Sequence, residues 1–156
     1  TLKFEIMGLD MYLEKRTYVK QWDHQSAEEK HEVVVTKGGQ PTKIDPKKVK
    51  YIIEEAGYWR KANQIHRWFV ENVQNGVDNC GEYYVGSEKL TELLELCKKV
   101  EADHSLADEL LPSASGFFFG GTDYDEWYYN DITNTIAILE EALEDEHGDF
   151  YYSSSW

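Results

Sequence analysis

Apolar residues recur at every second position near the start of the chain, with Met7, Leu9 and Met11 on one side, so residues 3–13 are predicted to form a strand. Three consecutive valines inside Glu32–Thr36 predict a second strand. Gly38-Gly39-Gln40-Pro41 is turn chemistry, and Val49-Lys50-Tyr51-Ile52-Ile53 then reads as a returning strand rich in β-branched residues. A helix over residues 46–57 competes for the same stretch, because Asp45-Pro46 suits an N-cap and a first-turn proline.

From Tyr58 the period changes. Tyr58, Ala62, Ile65, Phe69 and Val73 follow the spacing of one helix face and Gln74-Asn75-Gly76 ends it, which predicts a helix of about four turns. Residues 82–85 are a short strand candidate. Ser87 is expected to cap a helix whose Leu90, Leu93, Leu94, Cys97 and Val100 form an amphipathic stripe. Pro112 to Gly116 breaks the chain, and Phe117-Phe118-Phe119 between glycines reads as an apolar plug. Asp123 is expected to cap the last long helix, with Tyr124, Tyr128, Ile132, Ile136, Leu139 and Leu143 along one face. Gly148 would end it, and Phe150-Tyr151-Tyr152 would return as an edge strand. These elements predict one α+β domain over residues 1–156, with about three helices packed on a small, mainly antiparallel sheet.

The length of 156 residues fits a single core, since such a chain buries roughly 70% of its unfolded surface. No run approaches the ~20 apolar residues of a membrane span, and the first residues lack a basic stretch followed by an apolar one, so no membrane partner and a cytoplasmic location are expected. Cys80 and Cys97 match neither a disulfide framework nor a paired metal site and read as buried thiols.

Charge alters the picture more than composition does. The net charge is −14, yet residues 43–67 carry seven Lys/Arg against three acids, while residues 101–149 carry fourteen acids and no Lys or Arg. A local basic strip therefore sits on an acidic body. Such a body repels a nucleic-acid duplex, but the strip leaves room for a small anion in a pocket.

On a helix beginning at Tyr58, residues Trp59, Asn63 and His66 would form a second ridge, with Arg60, Lys61, Gln64 and Arg67 further round. In one reading Trp59 and His66 widen the core stripe and the basic residues are a solvated face. In the other, Trp59 stacks on a base, Asn63 reads a base edge and Arg60 or Lys61 meets phosphate. The segment Ser115 to Asp123, with Ser115, Phe118 and Thr122 beside glycines, can likewise be an anion-binding turn or a structural turn with a core plug, and Asp123 there would oppose phosphate. Five histidines show no His-x-x-x-His pair, and neither a Gly-x-Ser-x-Gly elbow nor a His-Glu-x-x-His helix occurs, so no catalytic residue, metal ligand or cofactor is assigned. The Asp123/Asp125/Glu126 group reads as helix-dipole complementation.

Met7-Gly8-Leu9-Asp10-Met11-Tyr12-Leu13, Tyr58-Trp59-Arg60-Lys61-Ala62-Asn63 with Ile65-His66 and Trp68-Phe69-Val70, Asp78-Asn79-Cys80-Gly81-Glu82-Tyr83, Leu110-Leu111-Pro112, Ser115-Gly116-Phe117-Phe118-Phe119-Gly120 and Phe150-Tyr151-Tyr152-Ser153-Ser154-Ser155-Trp156 together cover nearly the whole chain. In these runs it resembles a largely uncharacterised family of small proteins of tailed phages and prophages. The resemblance implies a usual start at Met7, with Thr1 to Ile6 as an extension or the product of an upstream start, and residence in the cytoplasm of an infected or lysogenic bacterium. Phage genomes are rich in accessory proteins that blunt host immunity, one class of which sequesters cyclic-nucleotide signals as oligomeric sponges. Similarity to those sponges would have Trp59 and Tyr124 stacking bases, Arg60, Lys61 and His66 meeting phosphates and Asn63 reading a base edge, in a homo-oligomer that encloses the ligand. Two other classes remain open. The acidic run suits an inhibitor or DNA mimic acting on a host protein, and His66 suits a nucleotide-degrading enzyme.

Overall fold

Alternation of large apolar and polar side chains along three strands builds one covered sheet face, and the helices supply its cover. The computed structural model describes residues 8–116, 119–145 and 147–156. In chain order come β1 (Asp10–Tyr18), β2 (Thr36–Lys37), β3 (Gln40–Pro41), β4 (Tyr51–Arg60), α1 (Asn63–Asn72), β5 (Glu82–Val85), α2 (Ser87–Ala102), α3 (Ala107–Leu110), α4 (Glu126–Glu144) and β6 (Asp149–Ser155). The main sheet has the order β4-β1-β6-β5 with every neighbouring pair antiparallel, and β2 and β3 form a separate small hairpin. The fold is α+β, with one hydrophobic core.

Register decides what faces that core. Met11 lies opposite Trp59 and Ser154, and Leu13 opposite Gly57 and Tyr152, so one row of side chains crosses the sheet beneath the helices. Ile65 and Phe69 of α1, Leu90, Leu93, Cys97 and Val100 of α2, and Ile132 and Leu139 of α4 are buried against it. Phe69 stacks on Tyr152 with ring centroids 3.8 Å apart. A β-carbon on Gly57 would lie 2.5 Å from the Cγ2 of Ile138, so glycine there permits α4 to approach β4 this closely.

Several sequence expectations are corrected. Residues 58–62 are not helical: β4 pairs with β1 through Arg60, with a bulge beside Leu13 and Glu14, and α1 begins at Asn63. The strand ends because Lys61 adopts a left-handed backbone, φ 56°, while its N–H donates to the Leu9 carbonyl at 2.7 Å. The helical spacing of Tyr58 and Ala62 was coincidental, and the pairing potential of a ten-residue strand overrode it. The competing helix over residues 46–57 is reduced to a 3₁₀ turn, Pro46–Lys48, which Asp45 caps by accepting from the Lys47 N–H.

The first strand runs Asp10–Tyr18, further along than expected, and residues 3–7 lie outside the described residues. Of the second, Glu32–Thr36, only Thr36 lies in a strand, as the first residue of β2. The C-terminal strand is not an edge but lies between β1 and β5, where its alternating Phe150, Tyr152 and Ser154 are buried. Gly86 rather than Ser87 caps α2, and Asp125 rather than Asp123 caps α4, accepting from the Tyr128 N–H at 3.1 Å. Cys97 is buried, whereas Cys80 is exposed. None of the helices is long and apolar enough to cross a membrane, among the described residues.

Candidate functional site

The last residues of β4, the Lys61 turn, the start of α1 and the first half of α4 enclose a cleft of about 570 Å³. That size lies within the usual range for small-molecule sites. Gly57 sets the gap between strand and helix, as described above. From α4, Trp127, Asp131 and Asn134 line the cleft at the i, i+4, i+7 spacing of one helix face. Trp127 is 78% exposed, so its indole has a face available to a guest.

The floor is polar and tightly wired. Trp59 is buried, and its indole Nε1 donates to the Thr135 hydroxyl at 2.9 Å, which in turn donates to the Asp131 carbonyl at 2.6 Å. Gln64 is buried and donates from Nε2 to the Tyr128 carbonyl at 3.2 Å. Burial pushes the Asp131 carboxyl up to about 6, the Asp125 charge adds to the shift, and a hydrogen bond from Gln64 opposes it. Asp131 therefore gives up its proton less readily than a free aspartate and stands in a partly dehydrated wall. Arg60 and Lys61 stand at the rim beside Gly120 and Gly121, with Asp123 and Asp125 on the helix side. The lining thus mixes the basic Arg60 and Lys61 with the acidic Asp123, Asp125 and Asp131.

Asn63 also lines the cleft, but its amide is committed to the protein. Nδ2 donates to the carbonyls of Phe119 at 3.1 Å and Gly121 at 2.8 Å, and Oδ1 accepts from the Ala114 N–H at 3.0 Å. Asn63 is thereby a staple that ties Ala114, Phe119 and Gly121 to the start of α1. With both Nδ2 protons donated and Oδ1 accepting one bond, the amide is satisfied where it is buried.

His66 stands apart. It is fully buried, with Nδ1 2.6 Å from the Tyr152 hydroxyl, Nε2 3.0 Å from Asp78 Oδ2 and the Phe119 ring edge-on against it. Trp156 donates from Nε1 to the other Asp78 oxygen at 3.0 Å. Burial lowers the His66 pKa, and the Asp78 hydrogen bond and charge only partly oppose it. A carboxylate accepts only, so Nε2 carries the proton and Nδ1 accepts from Tyr152, whose own ionisation burial suppresses strongly.

Thus Trp59, Arg60, Lys61 and Asn63 are brought around one cleft, whereas the ridge joining Trp59 to His66 does not exist, because Trp59 is on a strand and His66 on a helix. Ser115 is exposed and does not line the cleft. Thr122 accepts at its carbonyl from the Ser113 hydroxyl, and Tyr124 donates to Asp108 at 2.6 Å, both outside the cleft lining. Phe118 lies outside the described residues. Sequence reasoning missed Trp127, Asp131 and Asn134, although their i, i+4, i+7 spacing away from the α4 apolar stripe was legible.

The acidic C-terminal run is divided among separate tasks. Asp123, Asp125 and Asp131 belong to the cleft, Glu140 pairs with Lys98 at 3.2 Å, and Asp145 pairs with Lys15. Among the described residues no group of His, Cys, Asp and Glu side chains is placed to hold a metal ion. No protein-family model, no curated protein and no solved structure matches the chain. The geometry of the cleft must therefore carry the functional reading.

Proposed function

We propose that the protein binds and sequesters a small nucleotide of low charge in the cleft between β4 and α4. The observation that carries this reading is one opening with the three kinds of group such a ligand needs. Trp127 offers a stacking face, Asp131 an acceptor for base N–H groups, and Arg60 and Lys61 a cationic rim for phosphate. The carboxylates of Asp123 and Asp125 in the same lining disfavour a triphosphate. They tolerate a phosphodiester, which has one charge per phosphate. A cyclic nucleotide signal of the bacterial host is the ligand in view, and the protein's place in phage anti-defence belongs to the same proposal, supported by the sequence resemblance.

Self-association is part of the reading. β4 is the outer strand of the sheet among the described residues, and Tyr51, Ile52 and Ile53 on it are each more than 40% exposed. Antiparallel pairing of two copies about an axis between Ile52 and Ile53 would set Lys50 opposite Glu55, a self-complementary arrangement. Light scattering of the wild type and of Ile53→Lys tests it: the expected results are a dimer and a monomer, respectively.

Calorimetric titration with linear mononucleotides and cyclic di- and trinucleotides tests the binding reading. The expected result is stoichiometric uptake of at least one of them and its release intact on denaturation. Conversion to product would replace sequestration by an enzymatic role, and no heat across the panel would remove the proposal.

A further inference from the structure

We infer that the cleft selects a guanine base, with the two oxygens of Asp131 accepting the adjacent N1–H and N2–H donors of its Watson–Crick edge. This rests on the reading of the cleft as a nucleotide site. An ionised carboxylate has two oxygens with about four lone-pair sites and no donor, so the hydrogen bond from Gln64 leaves acceptor capacity on Asp131. Among the common bases only guanine places two N–H donors side by side on that edge. Adenine sets a ring acceptor beside its amine, cytosine does the same, and uracil has one donor between two carbonyls. Each of those would turn a lone pair toward the carboxylate.

Position on the helix supports the assignment. Trp127 lies one turn before Asp131 on the same face of α4, about 6 Å along the axis, so a ring resting against the indole can extend an edge toward the carboxylate. Asn134, three residues beyond, brings an amide to the same wall, with both a donor and an acceptor for the remaining guanine atoms. Gln64 donates from Nε2 to the Tyr128 carbonyl, and its interaction with Asp131 favours the charged carboxylate. Burial makes the charge costly in the empty protein, with the acid group held up at about 6. Two N–H donors from a guest would offset that cost, and a guest lacking them would deepen it.

The test is calorimetric titration of the full chain at pH 7.5 with guanosine, inosine and adenosine 5′-monophosphates, and with cyclic di-GMP and cyclic di-AMP. Guanine ligands are expected to bind about 10- to 100-fold more tightly than the adenine ones, with inosine, which lacks the N2 amine, in between. Asp131→Asn keeps the shape of the side chain and is expected to remove that preference while the variant still melts cooperatively. Adenine ligands binding as tightly as guanine ligands, or an Asp131→Asn protein that keeps the preference, would overturn the guanine assignment and leave the nucleotide site standing. If no member of the panel binds, the nucleotide reading falls and this inference with it.

Discussion

The Nδ1 of His66 accepts the hydroxyl proton of Tyr152 across 2.6 Å, joining the first turns of α1 to the middle of β6 inside the core. The bond requires a neutral imidazole, and burial favours that form by lowering the His66 pKa below its ordinary value of 6.5. Unfolded chains bind the proton more readily, so this contribution is full above about pH 6.5 and is lost as the pH falls toward the folded pKa. In the Asp131→Asn background, which removes an opposing carboxyl, urea unfolding between pH 7.5 and 5.5 is expected to show stability falling with acidification. His66→Gln should flatten that dependence and lower stability at pH 7.5 by about 2–3 kcal/mol, because the Tyr152 hydroxyl and Asp78 lose their partner.

Asp131 acts with the opposite sign. Its folded pKa is raised to about 6 from 3.8, so the native state holds the proton more tightly than the unfolded chain does. The associated stability is present below about pH 3.8 and is lost as the pH rises through about 6. Asp131→Asn is therefore expected to stabilise the ligand-free protein at pH 7.5, by less than the full shift because solvent screens this half-buried group. The same substitution is the proper background for isolating the His66 effect, since it removes the opposing slope. Denaturant midpoints for both proteins across pH 4 to 7.5 check the sign.

Removing the Asn63 staple should loosen one loop more than it harms the core. Asn63→Ala deletes three hydrogen bonds, to Ala114, Phe119 and Gly121, at an expected cost of about 2–3 kcal/mol. Amide exchange at Ala114 should accelerate well before exchange at the centre of β6 does. Equal acceleration at both positions would show that the residue supports the whole core instead.

Gly57 permits the close approach of α4 to β4. Gly57→Val would drive a side chain into Ile138, whose Cγ2 already stands 2.5 Å from where a β-carbon would be. Overpacking of this kind is expected to cost about 1–3 kcal/mol and to push α4 off β4. Thermal unfolding checks the stability, and loss of nucleotide affinity in a variant that still folds would show that the spacing matters to the cleft.

Much of the architecture was legible from period alone. The α2 stripe of Leu90, Leu93, Cys97 and Val100 is buried as its spacing predicts, and β5 falls on the predicted residues 82–85. What the chain pattern concealed was pairing between distant segments. Tyr58 to Arg60 fit a helical face as readily as a strand, and only β1 alongside them decides the matter. The same holds for Phe150 to Tyr152, whose inner place in the sheet depends on β5 joining β6 on the far side. At the cleft, Arg60 and Lys61 were visible as basic residues beside aromatic ones, but Asn63 and His66 looked alike in sequence and have different surroundings. Nothing local distinguishes an asparagine that fastens a loop 51 to 58 residues away from one that reads a base.

Trp127 gives the most direct test of the cleft. An indole 78% exposed on α4 contributes little to stability, so Trp127→Ala should change unfolding by less than about 0.5 kcal/mol while weakening nucleotide binding about tenfold or more. The decisive measurement is an indole ¹H–¹⁵N titration of the wild type with guanosine 5′-monophosphate and cyclic di-GMP. The expected result is a saturable shift of the Trp127 and Trp59 signals with those of Trp22 and Trp156 unmoved. Shifts confined to Trp22 or Trp156, or no shift at saturating nucleotide, would contradict a nucleotide site between β4 and α4.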